Sequence, residues 1–156
     1  DLDRMASGCL GCRRRSRRTA GAVIVLDASV WLSYLVESDV HHASSRRWLA
    51  NVLAEGEAIA APVLLLAEVG GAIARQTGTP SLGQKTIDRL LSIPNLRLVS
   101  LDHGLGIQAA RVAAAQRLRG ADASYVAVAV ALGVPLVSWD REQVERAGIV
   151  TATMPD

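Results

Sequence analysis

Four carboxylates in this 156-residue chain stand where an acid either caps a helix or binds a ligand. Asp27 directly follows the apolar run Val23-Ile-Val-Leu, and Asp140 follows Leu136-Val-Ser-Trp. Asp122 comes two residues after Gly120, and Glu68 lies inside Val63-Leu-Leu-Leu-Ala-Glu-Val-Gly-Gly-Ala-Ile-Ala. Each aspartate alone has an ordinary explanation, since Asp is a favoured N-cap. Glu68 falls mid-helix, where it cannot cap, and an unpaired carboxylate is costly to bury. Its structural alternative is an escape to solvent, or to Arg75 seven residues on and near the same face. If the four acids converge, they repel. Two carboxylates about 4 Å apart cost about 4 kcal/mol at an effective dielectric of ~20. A hard divalent cation removes that penalty, and oxygen ligands suit Mg2+ or Mn2+. Zinc is disfavoured: both cysteines lie early, at Cys9 and Cys12, and His41, His42 and His103 share no ligand spacing. The histidines are expected to face solvent or to cap helices.

The elements that must position these acids can be read from apolar spacing. Ala22–Leu26 is β-branched and reads as a buried strand ending at Asp27. Helical spacing follows over Ala28–Val36 and His41–Ala54, and Glu57–Ala60 is a weak strand. Pro62 is expected to open a helix to Gln76, because its missing N–H is not needed there. Ser81–Ile93 is another helix and Leu96–Leu101 a strand. His103–Arg119 and Asp122–Leu132 read as helices broken at Gly120 and stopped at Gly133. Pro135–Ser138 is a strand, Arg141–Ala147 a short helix and Ile149–Ala152 a last strand. Strands alternating with helices imply a parallel sheet covered on both faces. In such sheets ligands bind beyond the carboxyl ends of the strands. The helix-rich stretch between Leu26 and Leu96 departs from strict alternation, so an insertion or helical lobe is expected there.

Composition bounds the rest. The length fits one domain, and a chain that is 50% hydrophobic can bury a core. With five aromatic residues (Trp31, Tyr34, Trp48, Tyr125, Trp139) and no Phe, a module that stacks successive bases on aromatic platforms is disfavoured. Residues 1–22 hold six Arg and two Asp, a net +4, whereas residues 23–156 carry a net −2. The body is therefore no basic clamp, and residues 1–21 are expected to be an Arg-rich tail, disordered or foreign to the domain at 22–156. Cys9-x-x-Cys12 lacks a second pair, and no disulfide framework is available, so a reducing, cytoplasmic setting is the default. The longest apolar run, Val126–Val137, spans 12 residues and contains Gly133 and Pro135. A bilayer span needs about 20, so no membrane is expected.

The segments Val23-Ile-Val-Leu-Asp27-Ala-Ser-Val-Trp, Ala61-Pro-Val-Leu-Leu-Leu-Ala-Glu68-Val, Gly120-Ala-Asp122-Ala-Ser-Tyr-Val-Ala-Val-Ala and Pro135-Leu-Val-Ser-Trp-Asp140 resemble, in order, those of PIN-domain ribonucleases. The likeness spans roughly residues 22–152 and is greatest to VapC-type toxins of bacterial toxin–antitoxin pairs. It implies a PIN-like three-layer α/β/α sandwich on a parallel five-stranded sheet. It implies four catalytic acids, Asp27, Glu68, Asp122 and Asp140, with Mg2+ or Mn2+ bound among them; Asp27 and Asp122 are the expected holders of the metal. It implies metal-dependent cleavage of RNA, a cognate antitoxin that can place a basic side chain in the acidic pocket, and a homodimer. Ser138 fits the family's usual Ser/Thr two residues before the last acid. Where many relatives carry a polar Asn after the second acid, this chain has Val69-Gly70-Gly71. Ser29 and Ser138 are candidates to orient the ligands, and Arg46, Arg47 and Arg75 to meet RNA. The stretches Trp31–Val36 and Trp48–Leu53 are candidates for a dimer or antitoxin groove. Two other α/β readings fit poorly. Haloacid-dehalogenase-like phosphatases need an Asp where Ser29 stands, and a phospho-receiver needs a late Lys, whereas the only Lys is Lys85. The alternative to an enzyme is an inert PIN-like module that binds RNA or protein.

Overall fold

The computed structural model describes residues 21–155. Among these residues, five parallel strands form one sheet in the order β3-β2-β1-β4-β5. The strands are β1 Val23–Leu26, β2 Ala58–Pro62, β3 Leu96–Val99, β4 Leu136–Val137 and β5 Ala152–Thr153. Seven helices connect them: α1 Ala28–Leu35, α2 His42–Ala54, α3 Leu64–Thr77, α4 Pro80–Leu91, α5 His103–Gln116, α6 Gly120–Leu132 and α7 Arg141–Arg146. This is the expected three-layer α/β/α sandwich. The Arg-rich tail and Cys9-x-x-Cys12 lie outside the described residues. Among those described, no helix is long and apolar enough to cross a membrane.

The chain winds outward from β1 through β2 to β3, then returns across the sheet to β4 and β5. With right-handed crossovers, α1–α4 cover one face and α5–α7 the other. The direction of winding reverses between β1 and β4, which pair through Val25–Leu136 and Leu26–Val137. A parallel sheet opens a crevice at such a switch point, beyond the carboxyl ends of the two strands. Asp27 leaves β1 on one side of it, and Ser138-Trp-Asp140 leaves β4 on the other. The core is aliphatic, as the composition requires. β2 is buried throughout, and α6 buries the continuous run Ala123–Ala129. A helix apolar on all sides belongs in the interior, and α6 packs against β1, β2 and β4.

The helix-rich stretch resolves into two helical hairpins, α1–α2 and α3–α4, flanking β2. The α3–α4 pair owes its closeness to glycine. A Cβ on Gly83 would stand 2.5 Å from the Gly70 carbonyl oxygen, and one on Gly70 would stand 2.7 Å from the Ile87 side chain.

Several boundaries differ from the expectation. Pro62 ends β2 instead of opening α3, because Val63 N–H bonds the Val99 carbonyl and keeps the chain in the sheet. Proline is tolerated at a strand end, where no ladder donor is lost from the interior. α5 stops at Gln116, short of Arg119, because Arg117 turns into the left-handed region at φ 56°. α6 starts at Gly120, so Asp122 sits in its first turn instead of capping it. β3 ends two residues before Leu101, and β5 lies later than Ile149–Ala152.

Candidate active site

Asp27 is buried at the junction of β1 and α1 and caps α1, with Oδ2 accepting the Ser29 N–H at 2.9 Å. The same oxygen accepts the Ser138 hydroxyl at 3.2 Å. The Gln143 amide donates to Oδ1 at 3.4 Å and to the Asp122 carbonyl at 3.2 Å. Ser138 also accepts the Asp140 N–H at 2.9 Å, and Ser29 Oγ accepts the Trp139 N–H at 3.0 Å. Two hydroxyls therefore lace the end of β4 to the start of α1. Beyond them Trp139 Nε1 donates to Ser45 Oγ at 2.7 Å, and the His41 ring stacks on Trp139 at 3.9 Å. His42 Nδ1 lies 2.9 Å from the Ser33 carbonyl. The first two histidines are thus half-buried and engaged, contrary to expectation, while His103 is exposed at the start of α5.

Glu68 projects from the middle of α3 and is half-buried. Tyr125, wholly buried on α6, donates its hydroxyl to Glu68 Oε2 at 2.6 Å. Burial pushes the Glu68 carboxyl above its usual range; the Tyr125 bond opposes this, and the charges of Asp27 and Asp122 add to it. Burial likewise raises Asp122, against the pull of Arg119 and with the help of Asp27 and Asp140. Burial and the Glu68 acceptor drive the Tyr125 phenol far upward, so it remains a donor. The charges that bear on Glu68 are those of Asp27 and Asp122, and those that bear on Asp122 are Asp27 and Asp140, so the four acids share one pocket.

Arg119 precedes α6 and makes no side-chain cap. Its Nε reaches Asp122 Oδ2, and its Nη2 reaches Asp140 Oδ2, each at 3.1 Å. Asp140 meanwhile caps α7 by accepting the Gln143 N–H at 3.1 Å. Arg75, considered as a partner for Glu68, is exposed, as are Arg46 and Arg47.

The donor chemistry fits a hard cation, since every acidic ligand is oxygen. The buried Gln143 Oε1 has no hydrogen-bond partner beside this cluster. The carboxylates as they stand are nevertheless divided among Tyr125, Arg119 and the serines. Among the described residues, no three His, Cys, Asp or Glu side chains form a ready metal cage.

Three site residues escape the sequence reading: Arg119, Tyr125 and Gln143. Arg119 and Tyr125 stand three residues either side of Asp122, and Gln143 three after Asp140. That one-turn spacing is the signal that could have found them.

A family model described as the PIN domain matches residues 24–149. No curated protein matches the chain. Among solved structures, the chain is similar to Mycobacterium tuberculosis VapC20, a Sarcin-Ricin loop cleaving toxin. The two are 19% identical with a TM-score of 0.69, over 82% of this chain and 97% of that one. It is also similar to Rickettsia felis VapBC2 bound to a promoter DNA fragment, at 16% identity and TM-score 0.66, over 86% and 99%. The Pyrobaculum aerophilum protein PAE2754 is 25% identical with a TM-score of 0.59, over 86% and 91%.

Proposed function

The chain belongs to the PIN domain family, and on that premise we propose that it is a metal-dependent endoribonuclease serving as the toxin of a toxin–antitoxin pair. The observation that carries this reading is the convergence of four acids at the switch point of the sheet: Ser138 bridges Asp27 and Asp140, Arg119 bridges Asp122 and Asp140, and Tyr125, one turn after Asp122, binds Glu68. Folding alone gives no reason to gather four like charges there.

Asp27 and Asp122 would hold Mg2+ or Mn2+, which supplies Lewis acidity toward water and charge relief at a scissile phosphate. Glu68 and Asp140 complete the acidic rim. Tyr125 fixes the Glu68 carboxylate by one short bond, leaving its other oxygen for a ligand. Ser29 and Ser138 hold the Asp27 carboxylate in one orientation, which is how residues behind a ligand tune a metal site. Exposed arginines such as Arg46, Arg47 and Arg75 would supply a salt-sensitive attraction for RNA.

The antitoxin partner is supported by the likeness to VapBC complexes. It would take the apolar groove of about 410 Å³ lined by Trp31, Tyr34, Leu35, Leu49, Leu53 and Leu90, between α1, α2 and α4. That groove is lined in part by both stretches singled out in the sequence, through Trp31, Tyr34 and Leu35 and through Leu49 and Leu53, and a homodimer is proposed on the family likeness alone.

One observation favours an inert binding module: the carboxylates are engaged by protein donors and not arranged as a cage. Catalysis decides between the two. The purified protein should cleave RNA with Mg2+ or Mn2+, stop with chelator, and lose cleavage in Asp27→Asn while its circular dichroism is unchanged. Asn keeps an acceptor for the α1 cap, so cleavage at the wild-type rate in this variant sinks the assignment.

A further inference from the structure

Arg119 occupies the position before α6 where a short polar side chain would satisfy free backbone N–H groups. It makes no such bond, and instead spans two carboxylates from two elements. Among the described residues it is the only cation within ion-pair distance of any of the four acids. The acids it holds are largely covered, with side-chain exposures of 18% for Asp122 and 26% for Asp140, whereas its own side chain is 76% exposed. The guanidinium can therefore leave for solvent without uncovering apolar surface. Exposed ion pairs of this kind are weak, and a divalent ion brings twice the charge to the same oxygens.

We propose that Arg119 is a built-in counterion of the acidic pocket. It competes with the divalent metal for Asp122, with Asp140 as its second anchor, and once displaced it takes a phosphate of the bound RNA. This inference rests on the metal-nuclease reading above. The pocket never stands as four bare charges, because arginine holds part of it until metal arrives. The same guanidinium, released at the mouth of the site, then presents a fork of donors suited to a phosphate. Metal loading and substrate gripping are thereby one exchange.

The test is a pair of titrations on the wild type, Arg119→Gln and Arg119→Lys, with unfolding midpoints confirming that each is folded. Mn2+ binding is measured calorimetrically without RNA. Binding of a labelled single-stranded RNA is measured by anisotropy in saturating Ca2+ across a salt series. Arg119→Gln should bind Mn2+ about threefold to tenfold more tightly and RNA more weakly. The slope of log affinity against log salt should fall by about 0.7, one lost single-strand contact. Arg119→Lys, which keeps the charge but loses the fork, should fall between. Equal or weaker Mn2+ binding in Arg119→Gln, or unchanged RNA binding, overturns the proposal and leaves the nuclease reading standing. Absence of Mn2+ binding in all three proteins overturns the nuclease reading itself.

Discussion

Tyr125 gives its hydroxyl hydrogen to Glu68 across 2.6 Å, joining α6 to α3. This bond lets an acid sit partly buried within a helix, and it fixes where that acid points.

Tyr125→Phe should therefore destabilise the protein by about 1.5–3 kcal/mol, the usual worth of a hydrogen bond to a charged group. Denaturant unfolding in chelator measures the loss. If Tyr125 only fills space, the stability of Tyr125→Phe will match the wild type.

The raised carboxyls set a pH dependence. Burial lifts Glu68 and Asp122 above their ordinary values. A carboxyl raised in the folded state binds its proton at a pH where the unfolded chain has lost it. Its stabilising contribution is full below the unfolded pKa and disappears as pH rises through the folded one. In chelator, Glu68→Gln should therefore exceed the wild type in unfolding midpoint at neutral pH, and the gap should close on acidification. A variant less stable at neutral pH contradicts the assignment.

Ser138 ties Asp27 to Asp140 and is fully buried. Ser138→Ala should weaken Mn2+ binding about tenfold to a hundredfold, the range seen when a group behind a metal ligand is removed. Calorimetry on the folded variant checks this, and unchanged affinity would show the serine to be a cap alone.

The glycines of the α3–α4 crossing should differ sharply. Gly83→Ala meets backbone at 2.5 Å and Gly70→Ala meets the Ile87 side chain at 2.7 Å. Both should lose about 1–3 kcal/mol, the cost of overpacking, with Gly83 the worse because backbone yields less. Gly71→Ala meets only the tip of Arg75 at 3.1 Å and should be neutral or gain up to about 1 kcal/mol. Thermal unfolding of the three variants gives the order.

The first and fourth strands were legible because each is a short apolar run ending at a polar residue, Asp27 after β1 and Ser138 after β4, whereas the Ala-rich β2 gave only a weak signal. Asp27 and Asp140 were legible because they follow such runs, and Asp122 because it stands at a helix start just after Gly120. What stayed hidden was pairing across distance. Tyr125 and Glu68 are 57 positions apart, and Gln143 and Asp27 are 116 apart; no local pattern couples them. The Gly70-Gly71 pair read only as a departure from a polar motif, although Gly70 is there for a helix crossing. Pro62 misled because its fitness for a helix start is real, but a neighbouring strand offered Val63 a better partner.

Asp27 and Asp140 each hold down the first turn of a helix with one carboxylate oxygen, while the other oxygen is held by Gln143 or by Arg119. Alanine at either place strips away two things at once, anchorage and charge, so a dead and floppy protein says nothing about chemistry. Asparagine parts the two losses, and any inventory of this pocket by truncation will overstate what its reactants do by the amount its scaffolding was worth.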